Sequence, residues 1–179
     1  MRSLLVALMV LAQAPVPVEQ EPRHTTRFLD RAMRVLEVRI PPEDTSLEHM
    51  HSHDMATVCL ECAVTLTRPA GGEWSEPRRR AVASTQITEY TKQPAAHTVR
   101  NVDAALSYHL IAVENLGGSG FEIREHDLAP NAPLAPHTHA KPAVMVNVVE
   151  RTWEVIQPGT PHRVVNGPQA RRIVEVELR

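Results

Sequence analysis

The chain has 179 residues, a formal net charge of -2 and an aromatic content of 3%. Without a basic surplus it has nothing to neutralise a phosphate backbone, which excludes nucleic acid as a partner. The length suits one or two small cores, and so few rings exclude a pocket walled by stacking, although Trp74, Trp153, Tyr90 or Tyr108 could each contribute one ring.

The chain opens on Met1-Arg2, then an apolar run from Ser3 to Leu11, then Ala12-Gln13-Ala14, a small-residue cleavage site. The run is too short to span a bilayer, so residues 1–14 are expected to be a cleaved signal peptide. That implies a periplasmic or secreted protein with no membrane span after cleavage. Residues 15–32, with Pro15, Pro17 and Pro22, are expected to form a flexible leader, with at most a helical turn or two near Arg27 to Met33.

From Met33 the pattern has period two, with Leu36, Val38 and Ile40 on one face and Glu37 and Arg39 on the other, which predicts a half-buried strand. Pro41-Pro42-Glu43-Asp44 stops it. A histidine-bearing stretch, Leu47 to Asp54, leads into an apolar strand carrying Cys59 and Cys62. Their offset of three puts them on opposite faces of a straight strand, so two free, partly buried thiols are expected. Arg68 to Arg80 has the prolines and glycines of a surface loop, and its Arg78-Arg79-Arg80 run is expected to be solvated. Strands are predicted at Val82 to Thr91 and Tyr108 to Leu116, where His109 alternates with Ile111 and Val113 as a core histidine. Gly117-Gly118-Ser119-Gly120 is the expected boundary between a unit at 33–116 and a shorter one at 121–179. In the latter, His126 shares a polar face with Glu122 and Arg124, and Val174, Val176 and Leu178 against Glu175 and Glu177 predict a half-exposed final strand that pairs with the first unit.

Two histidine pairs organise this pattern. Alternate side chains of an extended strand share a face, so His49 and His51, and again His137 and His139, each present two imidazoles to one space. His97 to Asn101 follows the first pair and His162 to Asn166 the second, so each half has H-x-H and then H-x-x-x-N, an internal duplication. His51 and His97 are 46 residues apart, but His139 and His162 only 23, which implies that a strand pair is missing from the second half.

In these residues the chain resembles the cupin family over roughly Met33 to Arg179. The P-x-G-x-x-H-x-x-x-N motif stands nearly complete from Pro158 to Asn166 and is reduced to Pro94-Ala95-Ala96-His97 through Asn101 in the first half. The Glu that follows H-x-H in the family is missing twice, since Met55 and Ala56, and Ala143 and Val144, occupy its place. The resemblance implies an all-β, cupin-type double-stranded β-helix or jelly roll, duplicated, with an incomplete second barrel.

It also implies a divalent transition metal (iron, manganese, zinc, nickel or copper) on His49, His51 and His97, with His137, His139 and His162 as a second candidate site. His53 would be a substitute ligand or a support behind the ligands, and Asn101 and Asn166 would orient them. Three ligands leave positions open for water or a small-molecule substrate, and without a carboxylate the metal keeps its full charge and draws anionic or chelating oxygen. The implied activity is that of a dioxygenase or a metal-assisted isomerase or hydrolase. The alternative is a non-catalytic envelope protein that binds a small molecule or a partner without metal. No nucleophile competes with this reading, because Ser84, Ser107 and Cys59 have no base at an interpretable spacing. A strand edge left open by the shorter half would favour a homodimer.

Overall fold

The structure, a computed structural model, describes residues 14–164 and 167–179. All but the last residue of the expected signal peptide therefore lie outside the described residues. The strands are β1 (Val16–Pro17), β2 (His24–Leu29), β3 (Met33–Ile40), β4 (His49–His51), β5 (Met55–Glu61), β6 (Val64–Pro69), β7 (Arg78–Arg79), β8 (Thr85–Thr88), β9 (Ala95–Asn101), β10 (Tyr108–Asn115), β11 (Phe121–Leu128), β12 (Ala143–Asn147), β13 (Thr152–Ile156) and β14 (Arg171–Leu178). The only helical element among the described residues is a 3-10 turn at Val18–Gln20, and no helix there is long and apolar enough to cross a membrane. The all-β expectation holds.

The strands form three sheets, ordered β1-β4-β9-β6-β7, β2-β3-β10-β5-β8 and β11-β14-β12-β13. The second sheet is the middle layer, and its central strands are apolar on both faces. Leu36, Val38, Ile40, Cys59, Leu110 and Ala112 point into one core with Val18. Met33, Val35, Ala56, Val58, Ile111 and Val113 point the other way, against Val144, Val146, Val174, Val176 and Leu178 of the third sheet. Strand β3 is therefore buried on both sides along most of its length, and only at Glu37 and Arg39 does its second face rise out of the packing.

The stretch expected to be a flexible leader carries two paired strands and a 3-10 turn. Val18 is buried in the inner core, β1 lies parallel to β4, and β2 is antiparallel to β3. Pro17 is tolerated because β1 is an edge strand, where a missing N–H breaks no ladder. No helical turn forms near Arg27 to Met33; there the Asp30 carboxylate accepts the Ala32 and Met33 amides, both at 2.8 Å, and turns β2 into β3.

The two cysteines also depart from expectation, since Cys59 and Cys62 are joined by a disulfide. The register between β10 and β5 slips between His109 and Leu110, so Leu60 is an extra residue. This bulge breaks the alternation that would have kept the sulfurs apart, and both cysteines face the inner core. Finally, β14 pairs with β11 and β12 in its own sheet, not with the first unit, and only its apolar face packs on the middle layer.

The glycine-rich stretch is tied down. Gly117 donates to Ala32 O, and Gly120, at φ +80 where a side chain would be strained, donates to Asp54 Oδ2 at 2.9 Å. Asp54 also accepts the Thr91 amide at 2.9 Å, so one buried carboxylate fastens three segments just beyond the histidine-bearing strand.

Candidate metal centres

Strand β4 is only three residues long, and its His49 and His51 point inward while Met50 points out. His97 of β9 lies directly opposite His49 in the antiparallel register. The three rings close on one another at centre distances of 4.6 Å (His49–His97), 4.9 Å (His49–His51) and 4.9 Å (His51–His97). One ligand atom from each lies within 4.8 Å of the others.

His49 Nδ1 donates to Leu47 O at 2.9 Å, which fixes the tautomer and leaves the Nε2 lone pair free. That Nε2 and both ring nitrogens of His51 are buried without a hydrogen-bond partner. Buried unpaired nitrogens are costly, and a shared metal ion would satisfy His49 Nε2 and one nitrogen of His51. The electrostatics agree. Burial, reinforced by the neighbouring imidazoles, lowers the pKa of His49 to about 4, His51 to about 2 and His97 to about 3. All three are therefore neutral at physiological pH, the state a metal ligand needs.

Two supports come from outside the motif. Tyr90 stacks on His51 with ring centres 4.6 Å apart and planes at 12°. His24 of β2 sits 4.5 Å from His49, centre to centre, and its Nδ1 is 2.6 Å from Glu21 Oε2. Burial works to raise the Glu21 carboxyl, but hydrogen bonds from His24 and from the Leu47 and Arg23 amides outweigh it and hold the group below its usual range. Placed in a supposed leader, this pair gave no spacing signal. A cavity of about 220 Å³ opens beside the cluster, lined among others by His24, His51, His97, Arg80, Tyr90 and Tyr108.

Two predicted supports do not reach this site. Strand β4 ends at His51 and the chain bends, so His53 lines a different cavity with Glu19, Arg34 and Glu114 and is neither ligand nor support. Asn101 is fully buried, but its Nδ2 donates to Ile40 O, Pro41 O and Leu106 O at 3.1, 2.9 and 2.8 Å. It ties the end of β3 to the loop before β10 and orients no histidine. Asn166 lies outside the described residues.

The second set converges as well. His137 and His162 meet in an isolated antiparallel bridge, with ring centres 4.3 Å apart, and His139 stacks on His162 at 5.0 Å. Here the missing carboxylate reappears from an unpredicted place. Glu175 of β14 is 3.0 Å from His137 Nε2 and 3.0 Å from His162 Nε2, and its second oxygen is 3.1 Å from His126 Nε2. The four donors His137, His139, His162 and Glu175 lie within 4.8 Å of one another. Burial works to raise the Glu175 carboxyl, and the surrounding imidazoles overcome it and keep it low. Glu177 Oε2, 3.0 Å from His139 Nδ1, leaves His139 Nε2 buried and unpaired toward the cluster. The polar face of β14 is thus not half exposed, since the segments carrying the histidines cover it.

No protein-family model matches the chain, and no curated protein sequence matches it. Solved structures do. Bacterial pirin YhhW from Escherichia coli in complex with nickel(II) superposes with a TM-score of 0.60 at 12% identity, over 86% of this chain and 90% of that one. Oxalate decarboxylase from Lactobacillus farciminis, as a formate complex, gives 0.58 at 10% identity, over 86% and 80%. A cupin 2 conserved barrel domain protein from Leptotrichia buccalis gives 0.51 at 8% identity, over 87% and 88%. At such identities the likeness concerns the fold, which is the cupin type of jelly roll.

Proposed function

We propose that this cupin-fold chain is a metalloprotein in which His49, His51 and His97 hold one divalent transition metal and the adjoining cavity receives a small oxygen-bearing molecule. One observation carries the reading: buried, unpaired imidazole nitrogens of His49 and His51 lie within 4.8 Å of each other and of a His97 nitrogen, beside a cavity. A metal bound there would supply Lewis acidity or, if iron, manganese or copper, redox chemistry toward dioxygen. The chain's own residues fix the ligand tautomer through Leu47 O, brace the His51 ring with Tyr90 and exclude bulk water with Val38, Ile40 and Leu110.

The second cluster supports a further ion of different character. Its donor set includes the Glu175 carboxylate, which suits a harder ion such as manganese or iron, whereas the all-imidazole set suits nickel, copper or zinc equally well. The two echoing sets support an origin by duplication with a shortened second half. The amino-terminal pattern supports export, and the open edges of the third sheet support a homodimer.

Elemental analysis of the chain, purified without a histidine tag, tests the reading. About one equivalent per chain should disappear in His97→Ala, and any second equivalent should disappear separately in Glu175→Gln. A value near zero that persists after incubation with each metal would remove the metalloprotein reading and leave the alternative, a small-molecule-binding or interaction protein without metal.

A further inference from the structure

The arginine run behaves in two ways. Arg78 and Arg79 form β7 at a sheet edge and are exposed, with Arg79 paired to Asp103. Arg80 leaves the strand and turns inward to line the cavity beside the first histidine cluster. Its guanidinium is held between β5 and the turn before β8: Nη1 donates to Thr57 Oγ1 at 2.8 Å, Nη2 to Thr57 O at 3.4 Å and Ser84 O at 2.8 Å, and Nε to Ser84 Oγ at 3.2 Å.

All of these acceptors are neutral. A guanidinium has five N–H groups, and one on Nη1 is left over once these bonds are made. Among the described residues no carboxylate lies within ion-pair distance of Arg80, and no Asp or Glu lines the cavity. Glu21, which binds the lining residue His24, is also engaged by Arg23 and the Leu47 amide. A partly buried cation without a counter-charge is unfavourable unless a ligand supplies one. At about 220 Å³ the cavity is smaller than the roughly 300–1,000 Å³ typical of drug-sized ligands.

We infer that the cavity is a binding site for a small carboxylate anion, with Arg80 as the residue that selects the carboxylate. This deepens the metalloprotein reading and rests on it only in that the second end of the ligand would face the histidine cluster. The neutral clamp from Thr57 and Ser84 pre-orients the guanidinium without quenching its charge, so it can offer a charge-assisted bond to a carboxylate oxygen. A neutral amide of the same shape can accept that bond at its carbonyl oxygen but brings no counter-charge.

The test is calorimetric titration of the full chain with malonate and with malonamide, metal content being measured on the same samples. Malonate should bind at least tenfold more tightly than malonamide, and Arg80→Gln should erase that difference at unchanged metal content. Arg80→Lys, which keeps the charge and loses the fork, should retain the preference at reduced affinity, and it serves if the glutamine variant does not fold. Equal binding of anion and amide by the parent chain, no binding of either, or an undiminished preference in Arg80→Gln overturns the inference. Metal present without anion preference defeats the inference alone; Arg80-dependent preference in a chain that takes up no metal defeats the metal reading alone.

Discussion

At the scale of single residues, burial sets the protonation of the site, and the direction of its pH dependence follows. His49, His51 and His97 have folded-state pKa values of about 4, 2 and 3, below the 6.5 of a free imidazole. The unfolded chain therefore binds protons first as pH falls. Stability is fully present above about 6.5 and declines as pH falls toward about 4 for His49, about 3 for His97 and about 2 for His51, by up to about 1.4 kcal/mol per pH unit for each histidine. Urea midpoints of chelator-treated chain should show this fall, and His51→Asn should flatten it. Glu114 has the opposite sign. It is fully buried, its oxygens lack hydrogen-bond partners, and burial pushes its pKa up to about 7, with Arg34 at 3.1 Å only partly opposing. Its contribution is present at low pH and lost as pH rises through about 7. Glu114→Gln should therefore match the parent near pH 5 and exceed its urea midpoint at pH 8. The paired histidines of each cluster were legible because H-x-H needs only the period of a strand. His24 and Glu175 were not, because each reaches its site through a non-local pairing that leaves no spacing in the sequence.

At the scale of elements, alternation is informative only where one face meets water. Strand β3 displays its core residues Leu36, Val38 and Ile40 plainly, but Met33 and Val35 belong to a second core that a two-state, in-or-out reading has no place for. Strand β14 misleads for the same reason. Glu175 and Glu177 have the pattern of a solvated face, yet the segments around His137 and His162 fold over them. The disulfide was hidden by a single bulged residue, Leu60, which no local composition announces. A substitution in the second core tests its weight. Ile111→Ala, at 1% exposure between the middle and third sheets, should cost about 2–5 kcal/mol. In a chain of this size that lowers the melting temperature by roughly 2–4 °C for each kcal/mol, with metal binding at His97 retained.

At the scale of the molecule, one sheet serves two cores, and each flanking layer carries one histidine cluster. The class of fold was legible from short strands and proline and glycine turns; the three-layer stacking was not, because it depends on which apolar face meets which. A sheet shared in this way has a kinetic signature. Strand β10 lies at the centre of the middle sheet, bonded to β3 on one side and β5 on the other, with both faces covered. Its amides can meet solvent only if the ladders to β3 and β5 break, and the layers packed on both faces oppose that. Deuterium should therefore enter β10 last of all, and a metal ion added to either cluster should slow that exchange further, though no ligand of either cluster lies on the strand.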